Sequence, residues 1–106
     1  MLFRSIEGTN ILGQDAFRSL VKAYMNARNK ELTECALLLI QTGDVSKEDA
    51  GQRLSKMIRQ SDFLGELEDG NLYALLANTN EKSAEMVENR FREAGFECSI
   101  QEDDVV

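Results

Sequence analysis

The chain has no histidine, no proline and no tryptophan among its 106 residues. Without histidine it loses the commonest general base near neutral pH and the commonest transition-metal ligand. Without proline it has no rigid linker, and no low-complexity stretch or internal repeat divides it, so the length reads as one domain. Only two cysteines are present, Cys35 and Cys98, with no metal-type or redox-type spacing around them. They read as small buried residues suited to a reducing compartment. Positive charge is also scarce, since 12 basic residues face 19 acidic ones, a net charge of −7. That balance opposes non-specific binding to nucleic-acid polymers and to anionic membranes. The long apolar run of a membrane span is missing too: Ala36–Ile40 is far too short. The opening MLFRSIEG lacks a basic region followed by a long apolar stretch, so it does not read as a signal peptide. A cytoplasmic location without direct membrane insertion is the expectation.

What is there reads as alternating elements. Residues 1–13 are mixed and broken by Gly8, Asn10 and Gly13, as in a lead-in or linker. Phe17, Leu20, Val21, Tyr24 and the stem of Arg28 then recur at helical spacing, with Asn29 and Lys30 closing the helix. The apolar run Cys35–Ile40 predicts a strand covered on both faces. Gly43 and Asp44 form a turn, Ser46 is a natural N-cap, and Ala50, Leu54, Met57 and Ile58 mark a helix ending near Gln60. Phe63–Leu67 and Leu72–Ala77 read as strands joined at Asp69-Gly70, a type I′ hairpin signal. Asn80 caps a helix whose inner face holds Ala84, Val87, Phe91 and Ala94, and Gly95 ends it. Phe96–Ile100 is a final strand and 101–106 an acidic tail. A helix followed by βαββαβ, with two helices on one face of an antiparallel sheet, is an α+β sandwich of ferredoxin-like type. That architecture hosts many functions and settles none of them.

The residues around the hairpin resemble the GGDEF domain, the diguanylate cyclase family. Arg59-Gln60-Ser61-Asp62 stands where the family has R-x-S-D, and Glu68-Asp69-Gly70-Asn71-Leu72 falls on the signature turn. Leu75-Leu76 follows at the family's distance, SAEMVENRFREAG is similar to its A-x-x-x-A-E-R-I-R helix, and ALLLI to its first strand. The likeness covers about residues 35–100 and implies the compact nucleotide-cyclase-like form of the sandwich, residues 14–100, preceded by an extra helix.

Departures from the pattern fall on the catalytic parts. The paired glycines of the turn read Glu68 and Asp69, the Asp-Glu positions read Gly70 and Asn71, and Gln41 or Thr42 replaces the first metal aspartate. Only a short segment separates Ile40 from the next helix, where the family has its longer base-binding segment. The N-terminal L-T-G-L-x-N-R pattern is reduced to Ile11-Leu12-Gly13. The resemblance therefore implies a domain that is not an enzyme, with no metal and no cofactor, the acidic tip being what remains of a reaction centre.

The family's inhibitory site for cyclic di-GMP uses an Arg-x-x-Asp pair assisted by an arginine of the following helix. Carried over, these are Arg59, Asp62 and Arg90. A planar guanidinium meets guanine O6/N7 or a phosphate in bidentate fashion, and a carboxylate reads guanine donors. The resemblance thus implies a receptor, of the PelD-like kind that regulates exopolysaccharide production, acting on a partner protein or an upstream sensor domain. Arg53, Lys56 and Arg92 would extend the positive patch if the helices lie side by side. The structural alternative is that Arg59 sits on a helix end, Asp62 caps a turn, and Arg90 and Arg92 pair with neighbouring glutamates. The functional alternative is a ligand-free interaction module or homodimer, using the wide apolar face of the first helix.

Overall fold

The structure, a computed structural model, describes residues 11–101. The acidic stretch beyond Gln101 and most of the expected lead-in lie outside the described residues. Seven elements follow in chain order: α1 (Gln14–Asn29), β1 (Cys35–Gln41), α2 (Lys47–Ser55), β2 (Phe63–Glu66), β3 (Leu72–Ala77), α3 (Glu81–Glu93) and β4 (Glu97–Gln101). The four strands form one antiparallel sheet in the order β2-β3-β1-β4. This is a mixed α+β domain with three helices on a single sheet. Among the described residues no helix is long and apolar enough to cross a membrane.

The sheet is covered on both faces, and strand alternation assigns each side chain to its layer. Ala36, Leu38 and Ile40 of β1, with Leu72, Ala74 and Leu76 of β3, pack against Ala50 and Leu54 of α2 and Ala84 and Phe91 of α3. The intervening Cys35, Leu37, Tyr73 and Leu75 face Phe17, Val21 and Met25 of α1. This double cover is why β1 and β3 are apolar at nearly every position. Burying each of the larger side chains contributes about 1.5–3 kcal/mol. Cys35 and Cys98 are buried free thiols, one in each layer. Burial raises both thiol pKa values. For Cys35 the charge of Arg28 opposes the rise; Cys98 is pushed up to about 11, first by burial and then by Glu88.

Three local readings need correction. Leu12 and Ile11 are part of the fold rather than lead-in: Ile11 is fully buried and Leu12 bridges β2, donating to Leu64 O and accepting from Glu66 N–H. Helix α2 ends at Ser55, short of the expected Gln60, and residues 56–62 wind through turns to β2. The hairpin turn is not type I′, because that form needs positive φ at both central residues. Here Gly70 has φ +79° while Asp69 stays outside the left-handed region. Instead Gly70 N–H donates to Leu67 O at 2.9 Å, a four-residue turn ending in a left-handed glycine. Asp69 holds that shape by accepting from Asn71 N–H at 3.0 Å.

A candidate ligand groove beside Arg59

Arg59 lies four residues beyond the end of α2, in a turn closed by Asp62 N–H donating to Arg59 O at 3.0 Å. The Asp62 side chain closes the same turn from the other direction. Its Oδ2 accepts from Arg59 N–H at 3.0 Å and from Arg59 Nε at 3.2 Å. Its Oδ1 accepts from Arg59 Nη2 at 3.0 Å and from Ala77 N–H at 3.2 Å. Four donors therefore occupy a carboxylate whose side chain is only 3% exposed. Arg59 Nη2 reaches further, to Ala77 O at 2.6 Å and Thr79 Oγ1 at 2.7 Å. The pair stitches the α2–β2 connection to the end of β3.

This arrangement divides the roles of the two residues. Asp62 is consumed inside the protein and offers no free lone pair to a ligand. Arg59 stays 57% exposed along its side chain, and among the described residues none meets its Nη1. The bond to Asp62, then its charge, raises the arginine pKa above its ordinary value. A fork fixed at Nε and Nη2 still presents Nη1 outward, oriented in advance.

Arg59 and Asp62 open onto a groove of about 220 Å³ between the β3–α3 connection and α3. Arg90 lines the same groove, with Asn78 and Met86. Arg90 is exposed and makes no ion pair among the described residues. The three expected site residues thus share one groove. Arg92 does not: it turns to Glu88 Oε2 at 3.2 Å and to Cys98 O at 3.0 Å, the helical pair expected of a structural arginine. Arg53 and Lys56 are exposed but do not line the groove. Thr79 and Asn78, which complete the site, carried no signal in the sequence, because their link to Arg59 is made across the sheet's end by tertiary pairing.

The acidic hairpin tip is engaged elsewhere. Glu66 pairs with Lys47 Nζ at 3.1 Å, Glu68 pairs with Arg18, and Asp69 Oδ2 accepts from Tyr73 Oη at 2.6 Å. Burial pushes the Asp69 pKa up, but hydrogen bonds from Tyr73 and Asn71 outweigh it and leave the carboxyl below its ordinary value. The three carboxylates thus have three different partners. Among the described residues no group of three or more Cys, Asp or Glu side chains could hold a metal ion.

The protein is a mixed α+β domain with a groove lined by Arg90 and by the internally satisfied Arg59–Asp62 pair. No protein-family model matches the chain, and no curated protein matches it significantly.

Proposed function

We propose that the chain is a catalytically inactive GGDEF-like signalling domain that binds cyclic di-GMP in the Arg59 groove and so regulates a partner protein. The observation that carries this reading is the fixed, outward-facing Arg59 guanidinium sharing a groove with Arg90. Two guanidinium groups suit the phosphates and the guanine O6/N7 acceptors of such a ligand. Asp62 acts as a positioning residue rather than a contact, a change of role from the family pattern. The strand order β2-β3-β1-β4, with α2 and α3 on one face, supports a ferredoxin-like sandwich of the GGDEF kind. The separate partners of Glu66, Glu68 and Asp69 support the absence of cyclase chemistry, which needs convergent carboxylates.

Calorimetric titration with cyclic di-GMP tests it, using the wild type and Arg90→Ala. The substitution removes an exposed side chain without an ion pair, so the fold is retained. Micromolar binding lost in the variant supports a receptor; no binding at high micromolar ligand sinks the proposal. A second reading, a ligand-free interaction module, is favoured by Met86, which stands 58% exposed on the same groove. It predicts a concentration-dependent size in solution that Met86→Asp abolishes and Arg90→Ala does not.

A further inference from the structure

Telling guanine from adenine takes two kinds of contact. One is a guanidinium that offers two nitrogens to O6 and N7; the other is a carboxylate free to accept from the N1–H and N2–H donors. At the Arg59 groove both are already used inside the protein. Arg59 Nε donates to Asp62 Oδ2 at 3.2 Å. Arg59 Nη2 meets three acceptors, Asp62 Oδ1 at 3.0 Å, Ala77 O at 2.6 Å and Thr79 Oγ1 at 2.7 Å. Of this guanidinium only Nη1 is left to face a ligand, a single nitrogen rather than a fork. Asp62 is the single carboxylate of the groove wall among the described residues. Its side chain is 3% exposed and accepts from four donors, so no lone pair is left for a base edge.

We infer that the Arg59 groove recognises its ligand by phosphate rather than by base, and so takes purine phosphodiesters of either base alike. The inference rests on the reading of this groove as a cyclic dinucleotide site and deepens it by naming the ligand class. A phosphate oxygen is satisfied by one outward nitrogen, which is what Nη1 offers. Arg90 adds a second positive charge on α3, and no acceptor holds its guanidinium among the described residues. Its fork is therefore not aligned in advance on a base edge and follows negative charge. The neutral polar groups of the wall do not choose between the purines. Asn78 carries a donor and an acceptor on one carboxamide, and Ser83 both on one hydroxyl, so each pairs with either edge. Met86, 58% exposed on the groove, covers the face of a purine ring without reading its edge.

The test is calorimetric titration of the full chain with cyclic di-GMP and with cyclic di-AMP. Beside it runs an NMR titration with inorganic pyrophosphate, read at the Arg59 Nε–H and at the amides of Asn78, Ser83 and Arg90. The expected result is that the two dinucleotide affinities differ by less than about fivefold, and that both weaken as salt rises. Arg90→Ala, at an exposed position, weakens the two by the same factor, and pyrophosphate moves the groove signals. A base edge read by a bidentate contact gives a preference of about fivefold or more. A preference of that size for either dinucleotide, or an Arg90→Ala loss confined to one of them, overturns the inference and leaves the receptor reading standing if cyclic di-GMP binds. Pyrophosphate shifts without binding of either dinucleotide keep recognition through phosphate and sink the cyclic di-GMP reading. No response to any of these anions sinks both.

Discussion

Asp62 accepts the two guanidinium nitrogens Nε and Nη2 of Arg59, three residues away, and the backbone N–H groups of both Arg59 and Ala77. The Arg-x-x-Asp pair is therefore a fastening of the fold. Truncating either partner leaves different groups unpaired. Asp62→Ala strips the buried Ala77 N–H, the part-buried Arg59 N–H and the arginine side chain of their acceptor, and is expected to cost about 2–4 kcal/mol. Arg59→Ala costs less, about 1–2 kcal/mol, because Asp62 keeps its two backbone donors. Arg59→Lys does not restore the loss, since an ammonium cannot bridge both carboxylate oxygens, Ala77 O and Thr79 at once. Urea denaturation of the three variants checks the order.

Helix α1 is seated on β2 at one tight point. A Cβ on Gly65 would lie 2.2 Å from Phe17 Cγ and Cδ1, well inside contact distance. Phe17 is fully buried in the layer between α1 and the sheet. Gly65→Ala is expected to destabilise by about 2–3 kcal/mol through overpacking. Combining it with Phe17→Leu recovers part of that loss, so the double-mutant cycle should show a favourable coupling. Additive losses would place the strain elsewhere.

Helices α1 and α3 end in the same hydrogen-bonded motif built on different residues. In α3, Gly95 takes φ +97°, with Gly95 N–H to Arg92 O and Phe96 N–H to Phe91 O. In α1 the equivalent residue is Glu31 at φ +59°, with Glu31 N–H to Arg28 O and Leu32 N–H to Ala27 O. Glycine enters that region without a Cβ clash, and glutamate does not. Glu31→Gly is expected to raise stability by about 0.5–1 kcal/mol, net of the added freedom of the unfolded chain. Gly95→Ala shifts it the other way. Thermal melts decide both.

The Tyr73–Asp69 bond ties stability to pH at both extremes. Asp69 has a folded pKa below its ordinary value of 3.8, so its contribution is present above that value and is lost as acid carries the pH through the folded pKa. Tyr73 is shifted the opposite way. Burial, then the bond to Asp69 and its charge, raise the phenol above its ordinary value of 10. Its contribution is present below pH 10 and is lost as the pH rises through the folded value. Tyr73→Phe should cost about 1 kcal/mol at neutral pH. The difference between wild type and variant should stay flat at intermediate pH and shrink at each end. Urea denaturation across pH measures it; a difference that does not vary with pH refutes the linkage.

Much of the framework was legible because it rests on local rules. The Ser46 and Asn80 caps accept from Asp49 N–H and Ser83 N–H, as their positions implied. The unbroken apolar run Cys35–Ile40 announced a strand covered on both faces, and its two sets of side chains divide between the two layers. The hairpin was found in the right place but with the wrong turn, because a side-chain bond from Asp69 to the backbone outweighed the dipeptide preference.

The sequence by itself determined the order of elements, their apolar faces and the residue types present at the candidate site. Periodicity, caps and turn residues act over a few positions, and their physics is local. Only the tertiary structure decided that Ile11 belongs to the core and that Asp62 is spent on Arg59 and Ala77. It also decided that Arg90 shares a groove with Arg59 while Arg92 turns away to Glu88. Each of these depends on which strands pair and where their ends meet. Burial and the satisfaction of buried polar groups are properties of the assembled whole, and no short stretch of sequence carries them.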